Sequence, residues 1–180
     1  MQGVFIKALT YTPPVILGRQ LLSFAPFHGL LLEAADCHYL TAGTKTFGDM
    51  ILGIWICSYS FADGYLGVME HSAVRAWSRQ CKRLKISTLK KAAEEFAAYI
   101  EVGLERPQFW EKEAKKSCRA PIWWLLASFG VLQLGMSEQE AWDCPVAKFW
   151  CYIACRNEME GEENLLTDEE NKFLAGGEKV

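Results

Sequence analysis

The chain has 180 residues, 51% of them hydrophobic and 23% charged, with a formal net charge of −3. One domain is expected at that length, and this apolar share fills a core without metal or disulfide staples. The balance excludes a global attraction to nucleic acid or anionic lipid, but it is uneven: Arg156 to Val180 holds eight acidic and three basic residues, the rest 14 acidic and 16 basic.

Met1 to Pro14 has neither a basic region leading into an apolar run nor a small-residue cleavage site, so no secretory signal is expected. Val4-Phe5-Ile6 and Val15-Ile16-Leu17 are short β-prone runs on either side of Pro13-Pro14. With Gly18 they read as an extended arm or a small hairpin within residues 1–22. Pro26 opens a helix capped near Ser23 or Phe24, and Phe27, Leu30, Leu31, Ala34 and Ala35 recur at helical spacing to about Tyr39. After a polar loop, Thr46 and Asp49 form a capping box that leads into an apolar helix from Phe47 to Tyr59.

Asp63-Gly64 signals a turn. From Tyr65 to Lys85 the chain reads as helical, at least from His71 onward, with Val74, Trp77, Cys81 and Leu84 on one face. Ser87 or Thr88 then caps a long amphipathic helix to about Leu104 that ends at Arg106-Pro107. Gln108 to Arg119 reads equally as a helical connector or a loop. The clearest punctuation follows. Pro121 suits a first helical turn, Gly135 the left-handed end of that helix, and Ser137 with Glu140 a capping box that starts the next. Asp143-Cys144-Pro145 breaks or bends this second half, because proline disfavours helical geometry in the residue before it. A helix restarts at Pro145 and runs to about Met159.

The fold class is therefore all-α: one helical domain over residues 1–160, with a short extended N-terminal arm at 1–22, and an acidic tail over 161–180 holding at most one short helix, capped by Thr167 with Glu170. The longest apolar runs, Met50 to Ala62 and Pro121 to Leu134, fall short of the roughly 20 residues a membrane span needs. They read as core helices of a soluble protein.

Chemistry-bearing residues are sparse. The seven cysteines are odd in number and contain no CxxC, which points to reduced thiols in a cytoplasmic setting. Cys144, Cys151 and Cys155 would share a face on a continuous helix, but Pro145 interrupts it and no histidine is near, so packed thiols are favoured over a metal site. Cys37-His38 with His28 could be drawn as a nucleophile and base, yet nothing supplies the third, orienting group. His28, in a first helical turn, reads better as bonding the preceding loop. No catalytic residue, cofactor or metal is expected, nor a small-molecule partner.

Arg75, Arg79, Lys82, Arg83, Lys85, Lys90 and Lys91 form a basic run, with no carboxylate between Glu70 and Glu94. Trp77 lies on the apolar stripe rather than among these charges, so the run reads as the solvated face of two helices before it reads as a nucleic-acid surface. Seven tryptophans and ten phenylalanines exceed what a small helical core requires. Trp110, Trp123 and Trp124 adjoin charged or proline-containing stretches where full burial is difficult, and are the candidate partner-binding residues. The competing reading places Trp123 and Trp124 in the core of the most apolar helix.

Two stretches carry a resemblance. Val15-Ile16-Leu17-Gly18-Arg19, running into Leu22-Ser23-Phe24-Ala25-Pro26-Phe27-His28 and Leu30-Leu31-Leu32-Glu33, is similar to the N-terminal part of small proteins from bacteriophage and prophage tail-gene regions. Gly135-Met136-Ser137-Glu138-Gln139-Glu140-Ala141-Trp142-Asp143, followed by Pro145 and Ala147, resembles their C-terminal helical turn. The resemblance implies a mostly helical, non-enzymatic tail assembly chaperone or tail-morphogenesis protein in the host cytoplasm. Such proteins bind the tape-measure protein and keep its hydrophobic helices soluble until the tail tube polymerises. A helical adaptor of another process and a basic-helix nucleic-acid binder are the alternatives.

Overall fold

The computed structural model describes residues 3–108 and 120–161, together with positions 165, 166 and 170. Trp110, Thr167 and the stretch 109–119 lie outside the described residues. The described chain is mostly helical and forms one all-α domain, with a single two-stranded ribbon as its β-structure.

The chain starts with α1 (Gly3–Thr10), where the β-prone run at Val4 was expected to be extended. Local preference is overridden here by tertiary contact. Val4 is buried, α1 packs along the final helix, and Lys7 Nζ reaches both carboxylate oxygens of Glu105 at 2.9 and 3.0 Å. The expected hairpin does form over the second run. β1 (Val15–Ile16) pairs antiparallel with β2 (Arg19–Gln20), and Leu17 and Gly18 between them both have positive φ, 51° and 80°, as the tightest hairpin turn requires.

α2 (Pro26–Ala34) ends earlier than its apolar periodicity suggested. Asp36 takes the left-handed conformation (φ 50°), one that aspartate tolerates, and the Cys37 amide closes the end on Leu32 O at 2.9 Å. α3 (Phe47–Ile56) starts with the expected box: Thr46 Oγ1 accepts from the Asp49 amide and Asp49 Oδ2 accepts from the Thr46 amide. After a 3-10 turn (Phe61–Asp63), the region read as one helix from Tyr65 is two, α4 (Gly64–Val68) and α5 (His71–Cys81). α6 (Ile86–Leu104) begins just before the serine and threonine expected to cap it.

The closing hairpin follows its punctuation. α7 (Ile122–Leu134) ends at Gly135 in the left-handed region (φ 67°), and the Met136 amide after it bonds back to Gly130 O at 3.1 Å. Ser137 and Glu140 cap α8 (Glu138–Asp143) reciprocally, and extended Cys144 before Pro145 separates it from α9 (Val146–Met159).

Helices cross where aromatic rings sit on helical glycines. A Cβ at Gly29 of α2 would lie 2.4 Å from the Trp123 indole of α7, and one at Gly53 of α3 would lie 2.4 Å from Phe96 of α6. At Gly103 of α6 a Cβ would lie 2.5 Å from the Cβ of Phe24, in the segment before α2, and Gly130 of α7 receives the Phe149 ring of α9 at 2.9 Å. Around these crossings, indole and phenol groups find backbone acceptors: Trp55 Nε1 donates to Val68 O at 2.7 Å, Trp77 Nε1 to Ile51 O at 3.0 Å, and Tyr99 OH to Leu22 O at 2.8 Å. Arg19 docks the hairpin on this frame. Its guanidinium lies 3.9 Å from the Trp55 ring centre and 5.0 Å from that of Trp77, and donates to Ser58 Oγ at 2.7 Å.

Trp142 of α8 packs back onto α7, as its position before the bend suggests. It is edge-on to Trp124 at 4.9 Å and stacked on Phe61 at 5.7 Å, while Asp143 Oδ1 accepts the Phe61 amide at 2.7 Å. Because this indole is buried between two elements, Trp142→Ala should cost roughly 3–5 kcal/mol. Urea denaturation measures it, and a loss below about 1 kcal/mol would mean the ring is not a core element.

Candidate functional site

α7 is apolar on every side, yet it lies at the rim of the bundle and can bury only one of them. Trp123, Leu126, Ala127 and Gly130 face inward against α2, α8 and α9. The opposite face carries Trp124, Leu125, Ser128, Val131 and Leu132, of which Leu132 is 76% and Trp124 50% exposed. The tryptophans expected to act together are therefore separated by the roughly 100° that divides successive helical residues. Trp123 is core, 7% exposed, with Nε1 donating to Glu33 Oε2 at 2.6 Å. Trp124 keeps one edge on Trp142 and offers the rest outward. Val131 and Leu132 were not singled out from the sequence. Their signal was the near absence of polar residues around α7, which periodicity alone reads as full burial.

At the C-terminal end of α7 the exposed strip runs into an open cleft of about 590 Å³, lined by Leu134, Met136 and Tyr152 and flanked by Glu140, Asp143 and Lys148. Burial pushes the Asp143 carboxyl above its usual range, and the nearby Asp63 charge adds to this against the Phe61 amide bond. Glu140 is held below its usual range by the hydrogen bonds it accepts from Ser137.

The cysteine and histidine candidates do not assemble into a reactive pair. Cys37 is buried, its thiol pushed up by desolvation, and Sγ points to the Asp49 carbonyl at 3.8 Å. His38 Nδ1 instead meets Asp49 Oδ2 at 3.1 Å. His28 is 1% exposed and structural: Nδ1 accepts the Ala25 amide at 3.1 Å, and Nε2 meets Tyr59 O at 2.7 Å, which assigns its proton to Nε2. Cys144 and Cys151 are buried with thiols pushed up to about 11 by desolvation, while Cys155 is exposed. Among the described residues, no three or more histidine, cysteine, aspartate or glutamate side chains converge as a metal site.

The basic run from Arg75 to Lys91 is exposed along its length. Lys91 lies 3.6 Å from Glu95, and the aromatic residue within the run, Trp77, is buried against Trp55 and Arg19 rather than offered for base stacking. Among the described residues, no single helix is long and apolar enough to cross a membrane. Comparison of the chain with models of protein families, with curated proteins and with solved structures returns no match.

His28 gives the fold one source of acid sensitivity. Burial lowers its pKa from 6.5 to about 4. The unfolded chain therefore takes up a proton at a pH where the folded chain does not. The contribution of His28 to stability is complete above about pH 6.5 and is lost as the pH drops towards 4, by up to roughly 3 kcal/mol. Denaturation curves from neutral pH to about pH 4.5 should show this loss in the wild type and a flatter dependence in His28→Gln. Equal slopes would mean the imidazole is charged in the fold.

Proposed function

We propose that this protein is a non-enzymatic tail assembly chaperone of a phage or prophage, which holds an apolar helix of the tape-measure protein against the outer face of α7 in the host cytoplasm. The strip of exposed Trp124, Val131 and Leu132 with half-buried Leu125 carries this reading. An apolar helical face left open on the bundle fits an amphipathic helix laid along it. The two stretches that resemble tail-region proteins also support it, because they touch. The Val146 amide donates to Phe24 O at 2.8 Å, and Phe27 packs edge-on against Phe61, itself stacked on Trp142. They form one structural unit behind α7.

Co-expression with the tape-measure protein of the same genome tests the reading. The wild-type chain should keep that partner in the soluble fraction, and Leu132→Asp should abolish the effect while changing stability by no more than about 0.5 kcal/mol, as expected at an exposed site. Trp123→Ala should instead lower stability by roughly 3–5 kcal/mol. A partner equally soluble with and without this protein removes the chaperone reading. The exposed basic run favours one other reading, a nucleic-acid binder. That reading predicts a salt-sensitive DNA or RNA affinity that Arg79→Glu with Lys82→Glu weakens.

A further inference from the structure

We infer that the helix received by α7 is amphipathic with basic flanks, so that its partner is selected by charge as well as by apolar surface. The inference rests on the helix-binding reading above. From Ile122 to Asp143 the chain contains three carboxylates, Glu138, Glu140 and Asp143, and no lysine or arginine. α8 places these along one side of the strip: Ala141 meets Gly130 in mid-α7, Trp142 meets Trp124 nearer its start, and Glu140 lines the cleft beside Leu134 at its end. Asp63 joins the same side, close enough to Asp143 for its charge to raise that carboxyl.

Among the described residues, few cations stand beside this border. Arg156 of α9 is engaged by Glu160 Oε1 at 2.8 Å and Gln133 Oε1 at 2.8 Å, and Lys148 lines the same cleft as Glu140 and Asp143. A negative border beside an apolar strip with an exposed tryptophan favours cationic side chains flanking the incoming stripe, and opposes acidic ones. It also opposes antiparallel self-pairing through α7, since the α8 border of one copy would then lie opposite that of the other.

Two synthetic helical peptides test this, sharing one leucine stripe but carrying either lysine and arginine or glutamate at the flanking positions. In calorimetric titrations at low salt the basic peptide should bind at least about tenfold more tightly, with the ratio shrinking as salt rises. Glu138→Lys with Glu140→Gln should collapse the ratio, and glutamine still caps α8 at that position. Leu132→Asp should abolish binding of both peptides, with circular dichroism unchanged in all variants. Equal affinities, absence of binding, or a ratio unmoved by the charge changes would overturn the inference. So would a concentration-dependent dimer lost in Leu132→Asp, because a second copy would then cover the face. A tape-measure partner held soluble equally well by the charge variant leaves the chaperone reading standing and removes this one. Selective binding of the basic peptide without any effect on the tape-measure partner does the reverse.

Discussion

The bundle depends on the seating of aromatic rings on helical glycines. Where Trp123 lies over Gly29 and Phe96 over Gly53, backbones approach more closely than any side chain on the glycine would permit, and a wide apolar ring fills the crossing. Each contact buries large area in a core packed at crystal-like density. The same contacts leave no space for a methyl group, so the crossing geometry is fixed as well as stabilised. Arg19, clasped by Trp55 and Trp77, applies the same chemistry to the hairpin, with a planar cation in place of a ring.

This arrangement accounts for the division of labour in α7. Trp123 is committed to Gly29, Phe24 and Glu33, which turns one side of α7 inward and fixes what remains outside. Since α8 and α9 pack against its flanks, the residual face is a strip bordered by carboxylates on its α8 side. Trp124 belongs to both sets. One edge rests on Trp142 in the core, and the remainder forms part of the open face.

The groups that most readily suggest catalysis are consumed by the fold. His28 bonds two backbone groups and is held neutral by burial, His38 is engaged by the carboxylate that caps α3, and Cys37 is buried with its thiol shifted away from ionisation. A cysteine nucleophile needs a thiolate and a base turned toward it, whereas burial disfavours the Cys37 thiolate and His38 bonds Asp49. Among the described residues, the surface features outside these groups include the apolar strip of α7 and the charges on α5, α6 and α8.

The sequence by itself determined what depends on neighbours in the chain. The boxes at Thr46–Asp49 and Ser137–Glu140, the left-handed end at Gly135, the break before Pro145 and the turn at Leu17-Gly18 are local hydrogen bonding and sterics, written in a few consecutive residues. The tertiary structure decided what depends on distant partners. Val4-Phe5-Ile6 is helical because Glu105 and α9 receive it, against its local β preference. The candidate site was half legible: its helix and Trp124 were, but the separation of Trp124 from Trp123 and the roles of Val131 and Leu132 were not. A helix apolar on every side carries no directional signal, and only the packing of Gly29, Ala141 and Phe149 against α7 determined which side is left open.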